Sequence, residues 1–124
     1  MKFCICKHCG NIITFLHDAG APEMCCGEEM TELIPGTVDA AVEKHIPVVT
    51  CSGNTVTVNV GSVAHPMIPA HFIQWVAMQT NQGSQIKYLK PDTAPTVTFA
   101  LAEGEKVISV YEYCNLHGLW KADV

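Results

Sequence analysis

The chain has 124 residues, 48% of them hydrophobic, and sets 7 Lys+Arg against 12 Asp+Glu for a formal net charge of -5 at pH 7. That length suits one domain, or a small module joined to a larger one. An acidic chain without a basic run argues against nucleic acid as a partner, and no apolar run approaches the ~18 residues of a membrane span.

The N-terminus, Met1-Lys2-Phe3-Cys4-Ile5-Cys6, carries neither an apolar h-region nor a cleavage site, so no signal peptide is expected. Seven cysteines are then expected as thiolate ligands in a reducing cytoplasm, not as disulfides. The odd count adds to this, since at least one cannot pair within the chain.

Residues 1–36 hold Cys4, Cys6, Cys9, Cys25 and Cys26. A module of this size buries too little apolar surface to fold unaided and needs a metal or a larger neighbour. Cys6-Lys7-His8-Cys9-Gly10 is a C-x-x-C-G knuckle, whose glycine permits the tight turn that aims backbone N–H groups at the sulfurs. Asn11 to Leu16 reads as a strand, Asp18 to Pro22 as a loop, and Cys25-Cys26-Gly27 supplies a second thiolate pair. Two pairs predict one metal site, distorted from a tetrahedron because adjacent side chains tend to diverge. Cys4 competes with Cys6 for that site, but only Cys6 has the right spacing to Cys9. His8 and His17 read as solvated loop residues, and Glu28-Glu29 as charged surface.

Leu33-Ile34-Pro35-Gly36 punctuates the chain. Beyond it the pattern is β, with only residues 38–44 mildly helical. Ile46 to Cys51 is a short apolar run, Ser52-Gly53-Asn54 a hairpin turn, and Thr55 to Val60 alternates strictly. Phe72 to Met78 is expected as a strand with Trp75 facing the core. Gln85 to Leu89, Thr96 to Leu101, Lys106 to Glu112 and Leu119 to Asp123 complete the runs, at the spacing of a β-sandwich. Cys51 is expected as a small buried apolar residue.

Cys114-Asn115-Leu116-His117 places a thiol and an imidazole where one tight turn can aim both at a metal. His45, His65 and His71 lie in segments next to strands, two of them stiffened by Pro66 and Pro69. Each histidine alone is unremarkable. Together with the thiol they outnumber the ligands of a structural zinc site, which points to a redox metal with an open position.

These motifs together resemble the desulfoferrodoxins, the two-iron superoxide reductases, nearly end to end. Cys6-x-x-Cys9-Gly10 with Cys25-Cys26-Gly27 resembles the desulforedoxin module and its four-cysteine iron site. Glu43-Lys44-His45-Ile46-Pro47-Val48, Gly61 to Met67, His71 to Trp75 and Cys114 to Lys121 resemble the catalytic domain. The resemblance implies an all-β chain: a desulforedoxin-like module over 1–36, then an immunoglobulin-like sandwich over 37–124. It implies that His45, His65, His71 and His117 are equatorial ligands of a second iron, with Cys114 the axial thiolate. Glu43 would cap the ferric ion, and Lys44 would attract and orient superoxide. It also implies a small electron donor such as rubredoxin and a homodimer, with the small module able to swap across the interface. The chain departs from the family in its short lead before the first knuckle and in the extra Cys4 and Cys51. Two other readings compete on the residues alone: a cupredoxin-like electron carrier, and a zinc-binding interaction module.

Overall fold

A computed structural model describes all of residues 1–124 and divides them into two compact units, Met1–Ile34 and Pro35–Val124. The division falls inside the Leu33 to Gly36 punctuation. No helix is long and apolar enough to cross a membrane.

The first unit has five short strands: β1 (Phe3–Ile5), β2 (Ile12–Thr14), β3 (Met24–Cys25), β4 (Glu28–Glu29) and β5 (Thr31–Glu32). β1 is central in the sheet β2-β1-β5, and β3 pairs only with β4. The strand expected from Asn11 to Leu16 is three residues long, and Leu16 is fully exposed. Among its hydrophobic residues, only Phe3, Cys4 and Cys6 are buried. So little apolar burial leaves the cysteine cluster as the main internal restraint.

The second unit contains a single helical turn, α1 (Val42–His45), and seven strands: β6 (Pro47–Ser52), β7 (Thr55–Val60), β8 (Ile73–Thr80), β9 (Ser84–Tyr88), β10 (Thr96–Ala100), β11 (Val107–Cys114) and β12 (Gly118–Asp123). They form a three-stranded sheet, β10-β7-β6, and a four-stranded sheet, β12-β11-β8-β9. Alternation, shifted at the start of β8 by an irregularity opposite Tyr113 and Cys114, decides which side chains meet between them. Val56, Val58 and Val60 of β7 and Val97 and Phe99 of β10 face Ile73, Val76, Met78 and Val110 of the other sheet, in one buried cluster that includes Cys114. The β6–β7 hairpin turns on Gly53-Asn54, with Ser52 opposite Thr55 and Gly53 at φ 58°, the positive-φ first position of a two-residue turn.

One expectation is met in a different place and one is corrected. Trp75 is buried in the core as expected, but outside the cluster of Val76 and Met78; it stacks on Tyr113 with ring centroids 5.6 Å apart. β8 is buried on both faces, so periodicity could not choose between them. Cys51 is exposed, because β6 is an edge strand and Cys51 falls in its exposed C-terminal half.

The antiparallel registers bring several strand ends to one place. The start of β6 lies beside the end of β7 (Pro47 opposite Val60). The end of β11 lies between the starts of β8 and β12, with Cys114 opposite both Ile73 and Gly118. Every histidine predicted as a ligand of the second site flanks one of these ends.

Candidate metal centres

Cys6, Cys9, Cys25 and Cys26 converge, with their sulfurs all within 4.8 Å of one another. The knuckle closes as expected. Gly10 N–H donates to the Cys6 carbonyl at 2.9 Å with Gly10 at φ 81°, and Cys9 N–H points at the Cys6 sulfur at 3.5 Å. The second pair converges by a device the sequence did not announce. Cys26 adopts φ 53° and Gly27 φ 77°, so Cys26-Gly27 is a two-residue hairpin loop with both residues left-handed. That twist swings the Cys26 sulfur to 4.0 Å from the Cys25 sulfur, which itself lies 3.6 Å from that of Cys9. Cys4 lies in β1 between Ile13 and Glu32, outside the cluster. His8 is exposed and pairs with Glu28 at 3.1 Å.

The four sulfurs fit a cation. The Cys9 amide, then that of His8, holds the Cys6 thiol down to about 6. Hydrogen bonds to Cys6 and Cys9 push the Cys25 thiol up to about 12, and Cys26 moves in the same direction. One thiolate forms readily, and each further one is opposed by those already present. Only a bound cation lets all four ionise together.

At the open end of the sandwich, His45, His65, His71, His117 and Cys114 also bring their donor atoms within 4.8 Å of one another. Four successive ring pairs close a square: 45–65, 65–71, 71–117 and 117–45, with centroids 4.7 to 4.9 Å apart and rings 78° to 87° from coplanar. Cys114 is fully buried and its sulfur lies 3.8 Å from His117 Nδ1.

The tautomers are set by carbonyls, which only accept. His45 Nδ1 donates to Ala41 O at 2.7 Å, and His65 Nδ1 donates to Pro66 O at 2.6 Å. In the neutral rings both Nε2 atoms therefore present lone pairs, and these face each other at 3.2 Å. Protonation does not relieve them: burial first lowers His65 to about 4, and it lowers His45 and His71 too. His71 Nε2 is buried with no partner at all. Facing lone pairs and an orphaned nitrogen are destabilising without a cation and favourable around one.

Local sequence explains each placement. α1 stops at Ile46 (φ -65°, ψ 123°) because Pro47 disfavours a helical residue before it, and this leaves His45 buried at the turn's end. Gly61, at φ 83°, receives α1: its N–H donates to Ile46 O at 3.2 Å, and Val63 N–H donates to Glu43 O at 3.0 Å. A Cβ on Gly61 would sit 2.7 Å from Lys44 O and 2.8 Å from Glu43 O. Pro69-Ala70 spans a tight turn in which Ile68 and His71 exchange two 3.0 Å backbone bonds. Trp120 stacks on His45 at 4.9 Å and donates its indole N–H to His117 O at 3.1 Å.

Lys44 is half-buried beside the square. Burial is the first cause of the lowered His45 and His71 values, and the Lys44 charge adds to both. Glu43 is exposed and is not among the converging donors. Sequence reasoning passed over Gly61, Trp120 as a ring support, and Asn115. The glycine in a turn directly before a histidine loop was the one available signal.

A four-thiol cluster and a four-imidazole, one-thiol cluster on an all-β chain define a protein with two candidate metal centres, consistent with a two-iron protein. The desulfoferrodoxin family model matches residues 37–123, and the chain belongs to that family. The desulfoferrodoxin of Nitratidesulfovibrio vulgaris is 48% identical over 118 residues, covering 95% of this chain and 92% of that protein. The crystal structure of the superoxide reductase from Treponema pallidum superposes with TM-score 0.83 at 45% identity, over 98% of each chain. A one-iron superoxide reductase from Giardia intestinalis gives TM-score 0.57 at 30% identity, over 66% of this chain and 97% of its own.

Proposed function

We infer that this chain is a superoxide reductase, an oxidoreductase that takes superoxide, one electron and two protons to hydrogen peroxide. The carrying observation is the closed square of imidazoles with unshared lone pairs directed inward and a buried thiol at its side. Four imidazoles exceed the two that a blue-copper electron carrier uses. Five donors exceed a closed structural zinc site.

His45, His65, His71, His117 and Cys114 would hold the catalytic iron, and Cys6, Cys9, Cys25 and Cys26 the other. An iron ion held by these five would supply one-electron redox chemistry. The chain's own residues do the rest. Cys114 would be the one anionic donor among the five, and its thiolate would raise the electron density of the ion they hold. Lys44 offers a local cation to an anionic substrate. The net charge of -5 opposes that substrate at long range, but screening over ~8–10 Å lets the near cation dominate. By the family resemblance Glu43, one residue earlier on α1, would cap the oxidised centre.

Lys44→Ala is expected to slow the second-order reaction with superoxide roughly tenfold or more, about 1.4 kcal/mol of barrier. Pulse radiolysis reads this directly, and an unchanged rate removes Lys44 from the mechanism.

Residues 1–36 act as the desulforedoxin-like module and residues 37–124 as the reductase domain. The first centre is chiefly a structural staple, because its unit buries so little. Cys9→Ser in the full chain is expected to empty that centre and unfold residues 1–36 while the reductase rate stays near wild type. Loss of the rate along with the first iron would contradict this. The family resemblance also supports a cytoplasmic homodimer that draws electrons from a small donor such as rubredoxin.

A further inference from the structure

Two of the imidazoles have a ring nitrogen tied to a carbonyl: His45 to Ala41 and His65 to Pro66. His117 is steadied through its own carbonyl by the Trp120 indole. His71 has nothing comparable on its ring, and its Nε2 is buried without a partner. Its position must come from the backbone on either side.

Asn115 grips that backbone. Its Nδ2 donates to Ala70 O at 3.1 Å, and its Oδ1 accepts from Phe72 N–H at 2.9 Å. Its own backbone N–H donates to Phe72 O at 3.2 Å. The three bonds bracket His71, one on its N-terminal side and two on its C-terminal side. The amide orientation is fixed by chemistry, since an amide N–H must meet an oxygen and a carbonyl must meet a donor. An aspartate could serve Phe72 but not Ala70, and an alanine side chain serves neither. Asn115 also follows Cys114 directly, so the clamp ties the fourth imidazole to the same backbone that carries the thiol.

We propose that Asn115 is a positioning residue for His71: by clamping Ala70 and Phe72 it sets the imidazole's distance from Cys114, and it acts on the metal only through that ring. This rests on reading the four-imidazole, one-thiol cluster as the second metal centre.

The test is cobalt(II) binding by the full chain, measured by chelator competition at the second centre, for wild type, Asn115→Ala, His71→Ala and the double variant. Outer-shell partners of metal-ligating histidines typically contribute on the order of 10- to 100-fold in affinity, and Asn115→Ala is expected to lose that much. The double variant is expected to bind no more weakly than His71→Ala alone, because the clamp then has nothing to hold. Wild-type affinity in Asn115→Ala, or an equal further loss on the His71→Ala background, overturns the proposal. Asn115→Asp keeps the bond from Phe72 and covers the case in which the alanine variant does not fold. It too is expected to bind cobalt more weakly, and wild-type affinity in it counts equally against the clamp. Cobalt binding does not depend on turnover, so a wild-type chain that binds cobalt but fails to reduce superoxide would sink the reductase reading alone.

Discussion

Cys114→Ser is expected to lower the second-order rate with superoxide by at least about a hundredfold, ~2.7 kcal/mol of barrier, without disturbing the sandwich. The substitution is nearly isosteric at a fully buried position that closes β11, so its packing cost is small. Its chemical cost is large. Burial first raises the Cys114 thiol, and the Leu116 and His117 amides pull the other way. Those two N–H groups are in place to donate to a sulfur anion, and metal binding releases the thiol proton. A serine hydroxyl in the same pocket has a far higher pKa and stays neutral. If the five donors hold the catalytic iron as proposed, the variant would keep four neutral imidazoles and lose the anionic donor among the five, the group that would tune the ion's redox behaviour. Pulse radiolysis gives the rate, and the thiolate-to-iron absorption band should vanish with it. A rate within threefold of wild type would show that Cys114 is a passive core residue.

The same centre shows where a sequence can be read and where it cannot. Thr55 to Val60 was legible because one face of β7 is buried and the other is not, so period 2 appears in the letters. The histidines that converge were legible because proline and glycine punctuate their loops. β11 was not fully legible. Its last six residues are buried on both faces, so no alternation marks them, and an interior glutamate imitates a strand end. Trp75 was read correctly as buried, but β8 is buried on both faces, so its face was not legible for the same reason. The convergence of Cys25 and Cys26 depends on a left-handed cysteine, a conformation that costs energy and that composition does not advertise. Asn115 reaches partners more than forty residues earlier, and only the folded register brings them together.

That glutamate carries the remaining large effect. Glu112 is fully buried, and neither carboxyl oxygen has a hydrogen-bond partner. Its register places it between Val76 and Trp120, and burial pushes its pKa up to about 9 from an ordinary 4.5. The folded value exceeds the unfolded one, so folding favours the protonated form. Stability is then full below the unfolded value, declines as pH rises through neutrality, and levels off above about 9. At 1.36 kcal/mol per pH unit, the loss between pH 5 and 8 comes to about 4 kcal/mol. A neutral Glu112 also leaves Cys114, two residues on, without a neighbouring anion that would oppose its ionisation. Glu112→Gln keeps the shape and removes the titration. Urea unfolding of both proteins across this range should give a profile that falls with pH for wild type and runs flatter by that amount for the variant. The metal ligands titrate in both proteins, so the difference between the profiles isolates Glu112. Parallel profiles would mean that the carboxyl is hydrated or paired in solution and carries no such load.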